Sequence, residues 1–373
     1  TYGRKGEDVV KKNWAAIDAG ANAFEKIEIP EDWANAQDEG LEFKDKTEGA
    51  KDVLDFVNNI QNKVSAQEGN SLPVSAFNAY VDGTTPSGTS AYEKRGIAVN
   101  VPQWNPDNCI QCNFCSYVCP HGAIRPFAFT ADEAANAPEG MLTKAMTGMP
   151  DYKFGIQVSV LDCTGCGSCA NVCPGMKGEK ALEMKPIAEE LDRQKFFDYA
   201  VKLPEKDDVV AKFKETTVKG SQFKKPLLEY SGACPGCGET PYAKLITQLF
   251  GDRMYIANAT GCSSIWGNSS PSTPYTVNAK GQGPAWDNSL FEDNAEFGYG
   301  MLLAQNAIRT RLKKEVEELA EKDASVKDVA QEWLDTFAVG ATNGAATDKL
   351  VAALADKTDD LSKDLVKNKD FLA

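Results

Sequence analysis

CIQCNFCSYVCP, residues 109–120, and CTGCGSCANVCP, residues 163–174, place eight of the 11 cysteines of this 373-residue chain in two matching runs. Both runs read C-x2-C-x2-C-x3-C-P. Each cysteine of the first run recurs 54 positions later in the second, as Cys109 does at Cys163 (163 − 109 = 54). An internal duplication of this kind predicts a module with pseudo-two-fold symmetry.

The spacing within each run predicts how the thiols divide between two iron–sulfur clusters. Three cysteines at two-residue gaps can each reach a different iron of one 4Fe–4S cluster, whereas the fourth follows a turn and points away. The fourth cysteine of each run is therefore expected to bind the cluster of the other run, as in two-cluster bacterial ferredoxins. One cluster is predicted to be bound by Cys109, Cys112, Cys115 and Cys173. The other is predicted to be bound by Cys163, Cys166, Cys169 and Cys119.

Zinc is the alternative metal for these runs. Structural zinc sites use two CxxC pairs separated by a longer spacer, and four cysteines within 11 residues, twice over, fit that pattern poorly. His121 is the only histidine and follows Cys119 and Pro120. Because cysteines fill all eight ligand positions, we interpret His121 as a surface residue or a support behind the ligands, not as a ligand.

The other three cysteines lie in GACPGCGETPY, residues 232–242, and in ANATGCSSIWG, residues 257–267. A CxxC pair alone can be half of a zinc site or a redox pair. Cys234, Cys237 and Cys262 could also hold a third cluster that lacks its fourth ligand. Two structural thiols and a buried cysteine are the simpler interpretation, and local sequence leaves both open.

The surroundings of these cysteines favour an α/β arrangement. Thr240 and Pro241 are typical of the N-cap and first residue of a helix, whose dipole would stabilise negative charge on Cys237 and Glu239. Residues 254–258 are predicted to form a buried strand that ends just before Cys262. Ligands of α/β sheets bind at the carboxyl ends of strands.

Composition excludes several classes of protein. Forty Lys and Arg against 54 Asp and Glu give a net charge of −14, which argues against a nucleic-acid binder. No apolar run reaches the roughly 18 residues that cross a bilayer, and no signal segment is found at the N-terminus. The odd number of cysteines disfavours a disulfide framework and indicates a reducing compartment.

Hydrophobic spacing predicts the elements around the cysteine runs. Two amphipathic helices are expected within residues 1–66, the first from Val10 to near Ile29 and the second with Val53, Val57, Ile60 and Val64 on its apolar face. Strands are expected to enter the runs at 96–101 and 154–160 and to leave the second at 180–185. Residues 120–151 are predicted to form a surface insertion, and residues 301–373 a helical one.

The ordered set of motifs resembles the single-chain pyruvate:ferredoxin (flavodoxin) oxidoreductases. The resemblance runs from Tyr2 to the end of the chain. It rests on the duplicated cysteine runs, on residues 232–242 and 257–267, and on three joining stretches: LPVSAF at 72–77, YEKRGIAVNVPQW at 92–104 and GQGPAWDNSLFED at 281–293. It implies an internal fragment, since the family's GDG-type thiamine-diphosphate motif is not found here.

The resemblance implies an enzyme that oxidises pyruvate with coenzyme A to acetyl-CoA and carbon dioxide. Thiamine diphosphate with Mg²⁺ would form the carbanion, and electrons would pass through three 4Fe–4S clusters to ferredoxin or flavodoxin. Cys234, Cys237 and Cys262 would hold the third cluster with a fourth cysteine outside this chain. Glu239 and Cys262 would contact thiamine diphosphate. The resemblance also implies a cytoplasmic, homodimeric full-length enzyme.

The expected fold is mixed α+β. A ferredoxin-like two-cluster module would be flanked by a small helical or mixed domain and by the beginning of an α/β thiamine-diphosphate-binding domain with a helical insertion. The expected boundaries are a connecting domain at 1–95, the ferredoxin-like domain at 96–190, a linker at 191–230 and the start of the cofactor domain at 231–373.

Two other functions stay open from the sequence. One is a related 2-oxoacid:ferredoxin oxidoreductase with another substrate, and the other is a non-catalytic polyferredoxin-type electron carrier. The third cysteine set, which consists of Cys234, Cys237 and Cys262, argues against a carrier, because an electron carrier has no use for a site next to thiamine diphosphate. Basic residues just after the runs are candidates for docking an acidic electron acceptor: Arg125, Lys177, Lys180 and Lys185.

Overall fold

The computed structural model describes residues 2–35, 44–269 and 272–372. The chain divides into two compact units, Thr1–Lys44 and Asp45–Ala373. The first unit contains helix α1, Glu7–Asn22, and two short 3-10 turns, Gly3–Lys5 and Glu31–Asn35.

Helix α1 is shorter than its apolar spacing predicts. It ends at Asn22, so the prediction of an end near Ile29 was wrong. A helix in water depends mainly on packing of its apolar face. No residue of α1 is buried, and Phe24 and Ile29 beyond it are exposed. Among the described residues of this unit, no buried contact therefore holds residues 23–29 in helical form.

The second unit begins with the second predicted helix. Helix α2, Lys51–Phe56, continues through a π-helical turn, Val57–Gln61, into α3, Asn62–Ser65. Val57 and Ile60 of the predicted apolar face are buried, Val53 is half-buried and Val64 is exposed, so the expected face is confirmed only in its middle. Three 3-10 segments follow, at Gly69–Ser71, Val74–Tyr80 and Thr89–Tyr92.

Five strands and three short helices lie within residues 96–186 of the ferredoxin-like part. The strands are β1 Asn100–Trp104, β2 Ile124–Phe129, β3 Lys144–Ala145, β4 Lys153–Val158 and β5 Leu182–Pro186. The helices are α4 Phe114–Tyr117, α5 Ala131–Ala135 and α6 Ser168–Val172.

The strand pairing has the predicted pseudo-two-fold symmetry. Strand β1, before the first run, pairs antiparallel with β5, after the second, with Asn100 opposite Pro186. Strand β4, before the second run, pairs antiparallel with β2, after the first, with Ile124 opposite Val158. Strand β3 adds to the other side of β4. Each repeat is thus completed by a strand of the other.

Two predictions for this part were wrong in detail. The strand entering the first run was expected at 96–101, but β1 starts only at Asn100. Residues 120–151 were expected to form a surface insertion, yet β2 lies among them and buries Ile124 and Phe129. The duplication requires a strand after the first run, just as β5 follows the second.

The segment predicted to be a linker is helical and packed. It follows α7 Ile187–Glu190 and contains a 3-10 turn at Leu191–Arg193, α8 Gln194–Ala200, α9 Asp207–Phe213 and α10 Val218–Ser221. Val209 belongs to the buried core of the ferredoxin-like part, and Phe213 and Phe223 pack against it. The domain boundaries at 95, 190 and 230 stay predictions.

Two parallel strands follow the linker. Helix α11, Thr240–Phe250, a 3-10 turn at Gly251–Arg253 and β6, Tyr255–Ala259, lead to α12, Cys262–Ser264, a π-helical turn at Ile265–Ser269 and β7, Ala285–Ser289. Strands β6 and β7 pair in parallel, with Tyr255 opposite Ala285. The prediction of a buried strand was wrong, because β6 is half-buried and Tyr255 is 46% exposed.

The remainder is helical, as predicted. It consists of α13 Asn294–Lys322, α14 Lys327–Thr336, α15 Gly340–Leu354, α16 Asp360–Lys367 and a 3-10 turn at Lys369–Phe371. Trp333 is fully buried in its core, and the indole N–H donates to Thr347 Oγ1 at 3.0 Å and to the Leu372 carbonyl at 3.1 Å. No helix within the described residues is long and apolar enough to cross a membrane.

Candidate metal centres

The two cysteine runs follow the same backbone path. Gln111 and Asn113 have positive φ angles of 59° and 64°, and Gly165 and Gly167, 54 positions later, have φ angles of 72° and 76°. Glycine adopts these angles readily, whereas other residues do so less favourably. Glycine at 165 also avoids a clash, because a Cβ atom there would lie 2.9 Å from the Asn100 carbonyl oxygen.

These left-handed turns direct backbone amides at sulfur atoms. The amide of Gln111 donates to Cys109 Sγ at 3.4 Å, and the amide of Gly165 donates to Cys163 Sγ at the same distance. Hydrogen bonds to cluster thiolates help to set the reduction potential of an iron–sulfur cluster. Both runs therefore direct the same kind of backbone donor at their first sulfur.

Four thiols line one cavity, called the first cavity. They belong to Cys109, Cys112, Cys115 and Cys173. Its wall is largely apolar and includes Trp104, Phe154, Ile156 and Leu182. The structure therefore places the last cysteine of the second run with the first three cysteines of the first run, as the spacing predicts.

Four other thiols line the second cavity. They belong to Cys163, Cys166, Cys169 and Cys119. Apolar side chains complete it, among them Ile124, Val158 and Met184. The exchange of fourth cysteines is thus reciprocal, and all eight predicted ligands of the two runs are accounted for. Ligation by these thiols stays a prediction.

The buried thiols need positive charge if they are to ionise. Burial, together with the neighbouring thiols, raises the pKa of Cys163 to about 12 and raises the pKa of Cys115 and Cys169 still further above the ordinary thiol value. A metal cluster would supply the compensating charge. Four thiol donors in an apolar cavity fit a 4Fe–4S cluster, which takes each thiolate on a different iron. Among the described residues, no three His, Cys, Asp or Glu side chains converge on a single metal ion.

The third cysteine set is more open than the other two. Cys234 and Cys262 are exposed and Cys237 is half-buried. Residues 234–237 form a turn in which the Cys237 amide donates to the Cys234 carbonyl at 3.0 Å. Cys237 packs against a small core that contains Trp266 and Tyr275. Cys234 and Cys237 thus belong to a loop, and Cys262 is the first residue of α12.

Glu239 and Cys262 lie at the ends of regular elements. Helix α11 begins at Thr240 with Glu239 as its N-cap residue, one position earlier than predicted, and Pro241 is in its first turn. Strand β6 ends at Ala259, and α12 begins at Cys262. An exposed carboxylate and thiol at such positions are accessible to a cofactor, and their role stays a prediction.

The CPGC turn lies against the second cavity. A Cβ atom built on Gly236 would be 3.6 Å from the Cβ atom of Cys166. The His121 ring, which lines the second cavity, bonds through Nε2 to the Ala233 carbonyl at 2.8 Å. The Tyr230 amide donates to the His121 carbonyl at 2.8 Å. The second cavity is therefore adjacent to the CPGC turn, which carries Cys234 and Cys237.

His121 is not a surface residue, which corrects one of the two interpretations given to it. It is 2% exposed, and burial lowers the pKa of its imidazole. The ring is therefore neutral at pH 7, and Nε2 must carry the proton that it donates to a carbonyl. Sequence spacing could not reveal this, because its partner is 112 residues away.

Arg125 is buried, so its prediction as a docking residue was wrong. Its guanidinium forms an ion pair with Glu229 and donates to the Gly122 carbonyl at 2.6 Å and to the Tyr230 hydroxyl at 3.1 Å. It also lies over the Phe197 ring, 5.4 Å from the centroid. Arg125 thus joins β2 to the segment that leads into the CPGC turn.

Replacing Arg125 with methionine should destabilise the protein by about 3–5 kcal/mol, because it leaves the Glu229 carboxylate buried without its partner. Urea unfolding followed by tryptophan fluorescence would measure the change in the free energy of unfolding. Arg125→Met combined with Glu229→Met should recover much of the loss. Lys185→Met, which removes a surface ion pair with Glu183, is the control and should change little. Equal effects of Arg125→Met and Lys185→Met would contradict the prediction.

The other three docking candidates differ in accessibility. Lys185 Nζ pairs with Glu183 Oε1 at 2.8 Å. Lys180 Nζ donates to two main-chain carbonyls of α6, at 2.5 Å and 3.0 Å. Lys177 is exposed and follows the loop that contributes Cys173 to the first cavity. Of these lysines, Lys177 is the best placed to meet a partner.

Two family models match the chain. One is described as a 4Fe–4S dicluster domain and matches residues 108–177, which contain both cysteine runs. The other is described as a domain of unknown function and matches residues 42–98. The chain therefore carries a 4Fe–4S dicluster domain.

Similarity over most or all of the chain is found with named enzymes. The chain is 52% identical to a pyruvate-flavodoxin oxidoreductase of Enterobacter agglomerans, over 89% of this chain and 28% of that protein. It is 48% identical to a pyruvate:ferredoxin oxidoreductase of Moorella thermoacetica, over 100% of this chain and 32% of that protein. It is 43% identical to a mitochondrial pyruvate dehydrogenase (NADP+) of Euglena gracilis, over 100% of this chain and 20% of that protein.

The chain spans about a third or less of the length of these curated relatives. The similarity extends beyond the dicluster domain to the CPGC turn and to the helices that follow it. The chain is thus a homologue of one section of the pyruvate:ferredoxin and pyruvate-flavodoxin oxidoreductases.

Proposed function

We propose that the chain is the electron-transfer section of an enzyme that oxidatively decarboxylates pyruvate. In the balanced reaction, pyruvate and coenzyme A give acetyl-CoA, carbon dioxide, one proton and two electrons. The electrons would leave one at a time through 4Fe–4S clusters to ferredoxin or flavodoxin. The observation that carries the proposal is the pair of four-thiol cavities with exchanged fourth cysteines, the second of them beside the CPGC turn.

The adjacency of the sites suggests an order for the electron route. Cys234, Cys237 and Cys262 would hold the cluster nearest the substrate, with a fourth ligand from elsewhere. The contact between Gly236 and Cys166 favours transfer from there to the cluster of the second cavity. We assign the last cluster to the first cavity, because the observed contact with the CPGC turn is made by the second cavity.

The proposed cofactor site includes Glu239 and Cys262. Bound thiamine diphosphate, with Mg²⁺, would supply the carbanion chemistry that decarboxylation of a 2-oxoacid requires. The carboxylate of Glu239, at the N-terminus of α11, and the thiol of Cys262, just after β6, are exposed and free to contact it. We propose that residues 231–373 are the beginning of this α/β cofactor domain, with α13 to α16 as its helical insertion.

The acceptor would dock at the rim of the first cavity. Exposed apolar residues lie in the loops and short helices that form this cavity: Ile110, Phe114 and Met176. Lys177 adds a positive charge beside them. A surface of this kind suits a small acidic carrier, for which local charge raises the association rate and loses effect in salt. Added salt should therefore slow ferredoxin reduction but leave reduction of a neutral dye unchanged.

The names of the relatives favour pyruvate over other 2-oxoacids. All three relatives described above are named for pyruvate, whereas their named acceptors are flavodoxin, ferredoxin and NADP+. The three relatives thus share the named substrate, and they differ in the named electron acceptor although each contains a section similar to this chain. We propose, as the family resemblance of the motifs implies, that the complete enzyme is a cytoplasmic homodimer.

Turnover of the complete enzyme tests the proposal. The enzyme should reduce ferredoxin or flavodoxin with pyruvate and coenzyme A, and should be much slower with 2-oxoglutarate. Faster turnover with another 2-oxoacid would favour the related oxidoreductase. Clusters that are reduced by dithionite but by no 2-oxoacid would indicate a non-catalytic electron carrier.

A further inference from the structure

Lys244 brings a buried ammonium group from α11 into the dicluster domain. Its side chain is 1% exposed. Nζ donates to the carbonyl oxygen of Ser116, to that of Cys119 at 2.9 Å and to that of Tyr117 at 3.4 Å. Ser116 and Tyr117 are the last residues of α4, the short helix of the first cysteine run, and Cys119 follows its C-cap residue, Val118.

The acceptors favour a protonated amine. All three are neutral carbonyl oxygens, and an ammonium group has the three N–H donors that they need. Carbonyls at the C-terminal end of a helix carry partial negative charge and attract a cation. The charge of Lys244 is therefore held by dipoles and not cancelled by a carboxylate among these acceptors.

The second repeat has the same arrangement with a different lysine. Lys180 donates to the carbonyls of Ala170 and Asn171, which correspond to Ser116 and Tyr117 after the 54-residue shift. The position that corresponds to Lys180 in the first repeat (180 − 54 = 126) is occupied by Pro126. Helix α11 thus supplies the cation that the first repeat lacks.

The two lysines differ in their electrostatic environment. Lys180 is exposed, so water and salt screen its charge, whereas Lys244 is enclosed and acts through a medium of low dielectric constant. Lys244 contacts the backbone of Cys119, which lines the second cavity. A 4Fe–4S cluster gains one negative charge on reduction, and a nearby buried cation stabilises that state.

We propose that Lys244 raises the reduction potential of the cluster in the second cavity and so makes it the preferred acceptor of electrons from the third cysteine set. This inference rests on the proposed function, because it concerns the clusters that the function requires. Lys244 would act through the main chain of Cys119 as a positioning residue. By the pseudo-two-fold symmetry, the exposed Lys180 would have a weaker effect on the reduction potential of the cluster in the first cavity.

The test compares Lys244→Met with Lys180→Met in the complete protein, purified without air. Iron content and the midpoint potential of each cluster, from redox titration followed by electron paramagnetic resonance, are the readouts. The signal of the second cavity is the one that Cys163→Ser removes. In Lys244→Met the iron content should be unchanged, and the ratio of reduced to oxidised cluster at a fixed potential should fall about tenfold. For a one-electron couple this equals a decrease of about 59 mV.

The controls separate charge from shape. Lys244→Arg keeps the charge and should retain most of the wild-type potential. Lys180→Met should give a smaller shift that disappears in high salt, whereas the shift in Lys244→Met should persist. Unchanged potentials in Lys244→Met would overturn the proposal. Loss of iron from Lys244→Met would also overturn it, because Lys244 would then serve assembly. The readouts need no pyruvate turnover, so failure of the proposed reaction would be seen separately.

Discussion

Replacing Cys173 with serine is expected to remove or severely weaken the cluster of the first cavity and to leave that of the second intact. The reason is geometric: Cys173 belongs to the second run but lines the first cavity. Iron in the dicluster domain should fall from about eight atoms toward about four. Metal analysis together with electron paramagnetic resonance of the dithionite-reduced protein would measure the change.

The reciprocal variant is the matched control. Cys119→Ser should remove the cluster of the second cavity, because Cys119 lines that cavity with the second run. Each variant should therefore eliminate the signal that persists in the other. If Cys173→Ser and Cys163→Ser eliminated the same signal, each run would bind its own cluster and the exchanged arrangement would be refuted.

Replacing Cys237 with alanine in the complete enzyme should abolish pyruvate-dependent reduction of ferredoxin. The proposed route begins at the third cysteine set, and without its cluster electrons have no path to the second cavity. The two clusters of the dicluster domain should still assemble and be reduced by dithionite, because Cys237 lines neither cavity.

Separate assays distinguish a broken route from a misfolded protein. Iron content and dithionite reduction report on the dicluster domain, and reduction by pyruvate reports on the entire route. Wild-type rates of pyruvate-dependent ferredoxin reduction in Cys237→Ala would show that the third cysteine set is not on the route.

The sequence was most informative for the duplicated cysteine runs, whose ligands are close together in sequence. The 54-residue duplication predicted that Cys119 and Cys173 exchange places, and the cavities place them so. The spacing also predicted a strand before each run and one after the second, although the pattern at 96–101 misplaced β1 by several residues and β2, after the first run, was missed. Local spacing predicts the positions of the cysteines because the backbone turns within each run involve only neighbouring residues.

Contacts between distant parts of the chain could not be predicted. Arg125 looked like a surface cation, but its partner Glu229 lies 104 residues away. His121 and Lys244 likewise reach carbonyls more than 100 residues distant. Such pairs have no spacing signal in one sequence, since a buried lysine or arginine looks the same as a solvated one.

The predicted ends of helices were unreliable because they too depend on contacts with distant parts of the chain. Helix α1 stops at Asn22 although its apolar spacing continues to Phe24, because spacing records which residues could pack and not what they pack against. The third cysteine set has the same ambiguity. Its motif is specific, yet Cys234 and Cys262 are exposed in the described chain, so their convergence on one cluster stays a prediction.

Iron and acid-labile sulfide analysis of this chain, purified without air, tests the central claim most directly. We predict two 4Fe–4S clusters, with about eight iron and about eight sulfide per chain apart from any held by the third cysteine set. The protein should show broad visible absorption that dithionite bleaches. About two zinc ions per chain, without sulfide or visible absorption, would contradict the claim that these cavities carry electrons.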